Sequence, residues 1–87
     1  MKRYKPYFKE AAYIDLDHIF KRIKDFKRDI ISADDMIEGI LIDIGMKNNK
    51  KLGSRILDHI DASLYSIRSD SELKDLAKEI YYNYDQL

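Results

Sequence analysis

Apolar residues recur every three or four positions in four successive segments, and this spacing most constrains how the chain can fold. The segments begin at Leu16, Met36, Leu52 and Leu73. A period near 3.6 residues places apolar side chains on one face of an α-helix, whereas a half-buried strand would alternate. The chain holds only three glycines and one proline, too few for the many turns of a sandwich or barrel. The sequence therefore predicts an all-α protein, a compact bundle of about four short helices.

A residue that can cap a helix precedes each apolar segment: Asp15, Ser32, Asn49 or Ser54, and Ser69. Glu72 follows Ser69 by three residues, which is the spacing of a capping box. We predict helices over about 15–29, 33–46, 51–68 and 70–84, in a single domain that spans residues 1–87. Residues 1–12 form a basic, aromatic N-terminal arm or an extra helical turn.

Composition points to a soluble protein of the cytoplasm. At 87 residues and 45% hydrophobic content the chain suits one packed core. It has no cysteine, so disulfides and thiolate sites are excluded and a reducing compartment is expected. The longest apolar run, at 40–42, is far shorter than the roughly 20 residues that cross a bilayer. We expect no membrane partner.

The charges are sorted along the chain although they sum to zero. Residues 1–28 carry nine bases and four acids, and residues 29–46 carry five acids and no base. Residues 47–55 carry four bases, and residues 56–87 carry seven acids and three bases. Because consecutive helices are usually neighbours, this alternation favours attraction between adjacent segments. An exposed basic patch for an acidic partner is the alternative.

No motif for catalysis or for a cofactor is present. The chain has no glycine-rich phosphate loop and no recognisable Ser-His-Asp arrangement. His18 and His59 stand singly on different predicted helices, whereas helical metal sites pair strong ligands at three- or four-residue spacing. We therefore expect no catalytic, cofactor-binding or metal-binding residue and no enzyme.

The second predicted helix is apolar on two sides. Gly39, Ile42 and Met46 project away from its main stripe. Such a helix is usually central and packed on both faces. Alternatively, these residues form a contact patch for a homodimer or another target. Tyr65 and Tyr82 also project away from their stripes and are candidate contacts.

Charged residues supply two further candidate surfaces and an alternative partner. The patch for an acidic partner comprises Lys21, Arg22, Lys24, Lys47, Lys50, Lys51 and Arg55. The patch for a basic partner comprises Asp34, Asp35, Glu38 and Asp43, of which the first three also suit a helix N-terminus. The basic residues and the arm's Tyr4, Tyr7 and Phe8 could instead contact nucleic acid. Sixteen acidic residues and a pI near 6.7 argue against that reading.

The first eleven residues resemble a known leader segment. Their sequence is Met-Lys-Arg-Tyr-Lys-Pro-Tyr-Phe-Lys-Glu-Ala. It is similar to the capsid-targeting leader of internal head proteins of T-even-like phages, which has the form Met-Lys-x-Tyr-x-x-aromatic-x-x-Glu-Ala. The resemblance implies targeting to the prohead and cleavage after Glu10. It would place the protein in the virion or in the host cytoplasm.

Together these features predict a small, non-enzymatic protein that binds another protein stoichiometrically. A phage-encoded accessory protein, or an inhibitor of a host or defence component, fits the leader. Alternatives are an immunity protein that neutralises a toxin or bacteriocin, and a helical subunit of a homo-oligomer. A nucleic-acid-binding module is the least favoured reading.

Overall fold

The computed structural model describes residues 8–87, with side chains from residue 15 onwards. Over this range the chain forms four α-helices and no strand: α1 (Phe8–Lys27), α2 (Ala33–Asp43), α3 (Lys50–Leu64) and α4 (Asp70–Asn83). A single 3-10 turn, Tyr84–Gln86, follows α4. The predicted all-α bundle is therefore confirmed. None of the described helices combines the length and the apolarity that crossing a membrane requires.

Helix α1 begins at Phe8 and not at about residue 15. Asp15 therefore lies inside the helix, where its carboxylate accepts a hydrogen bond from the Tyr81 hydroxyl at 3.4 Å. The sequence between Phe8 and Asp15 contains no glycine or proline and includes two alanines, so nothing in it opposes a helix. At the other end, Asp29 adopts a positive φ of 66° and turns the chain out of α1.

The other three helices begin where their caps predict. The Ser32 side chain accepts a hydrogen bond from the backbone N–H of Asp35 at the start of α2. At the start of α3 the cap is Asn49 and not Ser54, and its side chain accepts a hydrogen bond from the backbone N–H of Leu52. Ser69 and Glu72 form a complete capping box at the start of α4. Short polar side chains that satisfy free N–H groups thus fix three of the four starts.

Helix α3 ends at Leu64, earlier than the predicted residue 68. The N–H of Arg68 donates to Glu72 Oε1 at 2.6 Å, so Arg68 already belongs to the cap of α4 and cannot continue α3. Helix α2 ends at Asp43, and Gly45 reverses the chain with a φ of 79°. A positive φ is most easily adopted by glycine.

One core joins all four helices. Helix α1 packs against α2 and α4, and α3 contacts α2 and α4. The aromatic residues Phe20 and Phe26 lie at the margin of this core and not at its centre. Isoleucine and leucine predominate among the buried residues, which are Ile19, Ile23, Met36, Ile40, Leu41, Leu52, Ile56, Ile60, Leu73, Leu76, Ala77 and Ile80.

Candidate partner-binding surfaces

Two cations of the predicted patch for an acidic partner form ion pairs within the chain. Arg22 donates to Asp43 Oδ2 at 2.7 Å, which joins α1 to α2. Lys24 donates to Asp70 Oδ2 at 3.1 Å, which joins α1 to α4, and lies 5.5 Å from the centre of the Phe20 ring. The first basic block is thus attracted to both acidic blocks. The contact between α1 and α2 joins consecutive segments, as the charge alternation predicts, whereas the contact between α1 and α4 joins segments that are not consecutive.

The second basic block behaves differently. Lys47, Lys50, Lys51 and Arg55 are all exposed. Among the described residues none of the four forms an ion pair or a side-chain hydrogen bond. We refer to these four residues as the α3 basic cluster. It is the part of the predicted patch that remains available to a partner.

The position of the α3 basic cluster is unfavourable for the helix itself. Lys50 and Lys51 occupy the first turn of α3, which contains no acidic residue. The helix macrodipole places partial positive charge at this end, so cations there are repelled and carboxylates are preferred. Helices α2 and α4 follow the preference, with Asp34 and Asp35, and Asp70 and Glu72, in their first turns. Stability of α3 therefore does not explain its basic start.

Tyr65 directly follows the last residue of α3 and lies on the same side of that helix as Lys51 and Arg55 of the α3 basic cluster. Its side chain is 86% exposed, the largest exposure of any large hydrophobic residue described. An exposed stripe connects Lys51 to Tyr65 at spacings of four, three, four and three residues. We call it the α3 outer stripe; its members are Lys51, Arg55, Asp58, Ala62 and Tyr65.

The second face of α2 is partly covered by α1. A Cβ at Gly39 would overlap the Arg22 side chain, so the close approach that this glycine permits is to α1 of the same chain. The prediction that Met46 shares this face is wrong, because α2 ends at Asp43 and Met46 follows it, half-buried against the core. Ile42 remains 51% exposed. The predicted face is therefore divided between an internal contact and one exposed isoleucine.

The remaining candidates are dispersed. Tyr82 on α4 is 60% exposed and makes an edge-to-face contact with Tyr81. On α1, Lys21 is exposed. Tyr4 and Tyr7 lie outside the described residues, and Phe8 begins α1 with a side chain that is not described.

The patch for a basic partner keeps three of its four carboxylates at the surface. Asp34, Asp35 and Glu38 are exposed, whereas the Asp43 side chain is only 9% exposed and is bonded to Arg22. Burial raises the pKa of Asp43, and the positive charge of Arg22 opposes that rise. Asp43 therefore contributes to the internal contact between α1 and α2.

The two histidines each meet a carboxylate from another helix. His59 on α3 lies 2.9 Å from Glu79 on α4, and His18 Nδ1 lies 3.8 Å from Asp43 Oδ1. Asp15 lies beside His18 and Asp43, and one candidate ligand atom from each of these three side chains lies within 4.8 Å of the other two. Sequence reasoning missed this group because it compared each histidine only with carboxylates on its own helix.

Comparisons with protein-family models, with curated proteins and with solved structures return no match, so the geometry of the chain itself must support any functional assignment.

Proposed function

We propose that this is a non-enzymatic protein that binds an acidic protein stoichiometrically through the exposed side of α3. The observation that carries the proposal is the α3 basic cluster, four exposed cations that have no ion-pair partner among the residues whose side chains are described. A group of like charges at the wrong end of a helix dipole costs stability. Such local conflicts with folding are expected where a surface serves binding.

The exposed side chain of Tyr65 favours a protein as the partner. Tyrosine is enriched at the energetic centres of protein interfaces, because it buries a large apolar surface and keeps a polar group. The α3 outer stripe runs about 20 Å, at 1.5 Å of rise per residue. A helix face of this length can form the centre of an interface that buries about 800 Å² on each partner.

The same stripe argues against nucleic acid. Its cations are followed by the exposed carboxylate of Asp58, and Asp61 on the next turn is exposed as well. A phosphate backbone that followed the helix would leave the cations and meet these acids, which would repel it. A protein partner can instead match both signs of charge and so fix its register on the helix.

An immunity-type complex with a basic partner has weaker support. Its candidate residues, Asp34, Asp35 and Glu38, lie in the first two turns of α2. The helix dipole favours the carboxylates of Asp34 and Asp35 in the first turn, so their presence needs no partner. The leader resemblance adds the proposal that the acidic partner belongs to a phage particle or to its host.

Affinity capture with charge-reversed variants tests the proposal. The bait carrying Lys51→Glu and Arg55→Glu should lose the captured protein, because two attractive contacts become repulsive. The matched control carries Lys74→Glu and Lys78→Glu, which reverse the same number of charges at exposed sites on α4. It should retain the captured protein at wild-type stoichiometry.

Three other outcomes would contradict the proposal. Equal loss in both variants would mean that binding follows net charge and not the face of α3. Loss of capture after nuclease treatment would identify nucleic acid as the partner. Recovery of only this chain, with a multiple of 10.4 kDa in solution, would favour a homo-oligomer.

A further inference from the structure

We propose that Asp15, His18 and Asp43 form a binding site for a divalent transition-metal ion such as Zn²⁺. Asp15 and His18 are three residues apart on α1, so their side chains share one face of that helix. Asp43, the last residue of α2, supplies the third group from across the helix interface. One candidate ligand atom of each residue lies within 4.8 Å of the others.

The donor set suits zinc. An imidazole nitrogen and carboxylate oxygens are common zinc ligands at about 2.0 to 2.2 Å, and sites with three protein ligands leave a fourth position for water. Tetrahedral geometry then separates ligand atoms by about 3.3 Å. His18 Nδ1 and Asp43 Oδ1 are already 3.8 Å apart, so only a small side-chain adjustment would bring them to that separation.

Hydrogen-bond donors on neighbouring residues orient the carboxylates of Asp15 and Asp43. Arg22 donates to Oδ2 of Asp43 at 2.7 Å, while Oδ1 of the same carboxylate faces His18. The Tyr81 hydroxyl donates to Oδ2 of Asp15 at 3.4 Å. Hydrogen bonds that orient ligating groups are a regular part of protein metal sites. Here they come from a third element, α4, as well as from α1.

The site also offers negative charge to a cation. The carboxylates of Asp15 and Asp43 each present one candidate ligand atom to the same position beside His18. The His18 side chain is 53% exposed, so the site is open to solvent on one side and an ion can enter.

Calorimetric titration of ZnCl₂ into the untagged protein near neutral pH tests the site. We expect saturable binding of one ion per chain, and a higher unfolding temperature with Zn²⁺ than with EDTA. His18→Gln should abolish both effects. His59→Gln removes the other histidine, which pairs with Glu79, and should retain them.

Tyr81→Phe provides a second, milder variant that keeps the aromatic ring. Loss of its hydroxyl should weaken zinc binding about tenfold, because substitutions of orienting groups typically reduce metal affinity 10- to 100-fold. Circular dichroism checks that each variant is folded. The site would be refuted by the absence of saturable binding to the wild type, by unchanged binding to His18→Gln, or by equal loss in His59→Gln.

Discussion

At the scale of single residues, the contact between Gly39 and Arg22 explains why α2 carries a glycine in its interior. The Arg22 side chain crosses α2 where a Cβ would lie and then reaches Asp43. Glycine lowers the stability of a helix interior by about 1 kcal/mol relative to alanine. The ion pair with a nearly buried carboxylate offsets that loss, since a hydrogen bond to a charged group contributes about 1.5 to 3 kcal/mol.

This contact predicts that the effect of Gly39→Ala changes sign with the residue at position 22. In the wild type the substitution should destabilise the protein by about 1 kcal/mol, because it displaces Arg22 from Asp43. In an Arg22→Ala background it should stabilise by up to about 1 kcal/mol, because only helix propensity then changes. Urea unfolding of the four proteins measures both effects, and equal stabilisation in both backgrounds would disprove the displacement.

The same residues show the limit of sequence reasoning about the site. Helical projection correctly separated Gly39 from the main stripe of α2, but projection of one helix cannot reveal which side chain of another helix covers it. The pairing of His18 with Asp43 escaped prediction for the same reason. Contacts between helices depend on their relative placement, which local periodicity does not specify.

At the scale of elements, local capping chemistry made three helix starts predictable. The side chains of Ser32, Asn49 and Ser69 each accept a hydrogen bond from a backbone N–H, as their positions in the sequence indicated. The misplaced boundaries have different causes. Asp15 has the chemistry of a cap but lies within a longer helix. Arg68 directly follows Ile67, the last apolar residue of the third segment, but its N–H donates to Glu72 in the cap of α4.

The capping box at the start of α4 should contribute measurably to stability. Ser69→Ala removes the acceptor for the Glu72 N–H and should cost about 1 kcal/mol. Ser71→Ala, an exposed change two residues on, is the matched control and should stay within about 0.5 kcal/mol of the wild type. Thermal unfolding compares them, and equal losses would mean that the cap has no specific role.

The basic start of α3 should be a site where stability and binding oppose each other. Lys51→Glu places a favourable charge at the helix N-terminus and should stabilise the protein by about 0.3 to 1 kcal/mol while weakening capture of the partner. Lys78→Glu, in the second half of α4, should not stabilise it. Denaturant unfolding checks the sign, and a destabilised Lys51→Glu variant would show that the cluster supports the fold.

At the scale of the whole molecule, the two basic blocks of the sequence have different roles. The first basic block joins α1 to both acidic blocks through Arg22 and Lys24. The second basic block has no such partner among the described residues and remains exposed on one side of α3. The alternation along the sequence indicated the pairing of α1 with α2 but not that of α1 with α4, and only the folded arrangement distinguishes the two basic blocks.

The partial exposure of the second face of α2 predicts how the Ile42→Glu variant will behave. Ile42 is half exposed, and the rest of the second face of α2 is covered by Arg22 or packed on the core. The variant should remain folded, lose less than about 1 kcal/mol of stability, and keep the wild-type mass of 10.4 kDa by light scattering. A wild-type dimer that this substitution dissociates would instead make α2 a self-association surface.

Truncation of the two exposed tyrosines tests whether α3 carries the partner-binding surface. Tyr65, which follows the last residue of α3, is 86% exposed, and Tyr82 on α4 is 60% exposed, so either can be truncated with little effect on the core. Light scattering of the purified complex should give one partner per chain for wild type and Tyr82→Ala, and no complex for Tyr65→Ala. A complex that survives Tyr65→Ala but not Tyr82→Ala would place the binding surface on α4 and contradict the account.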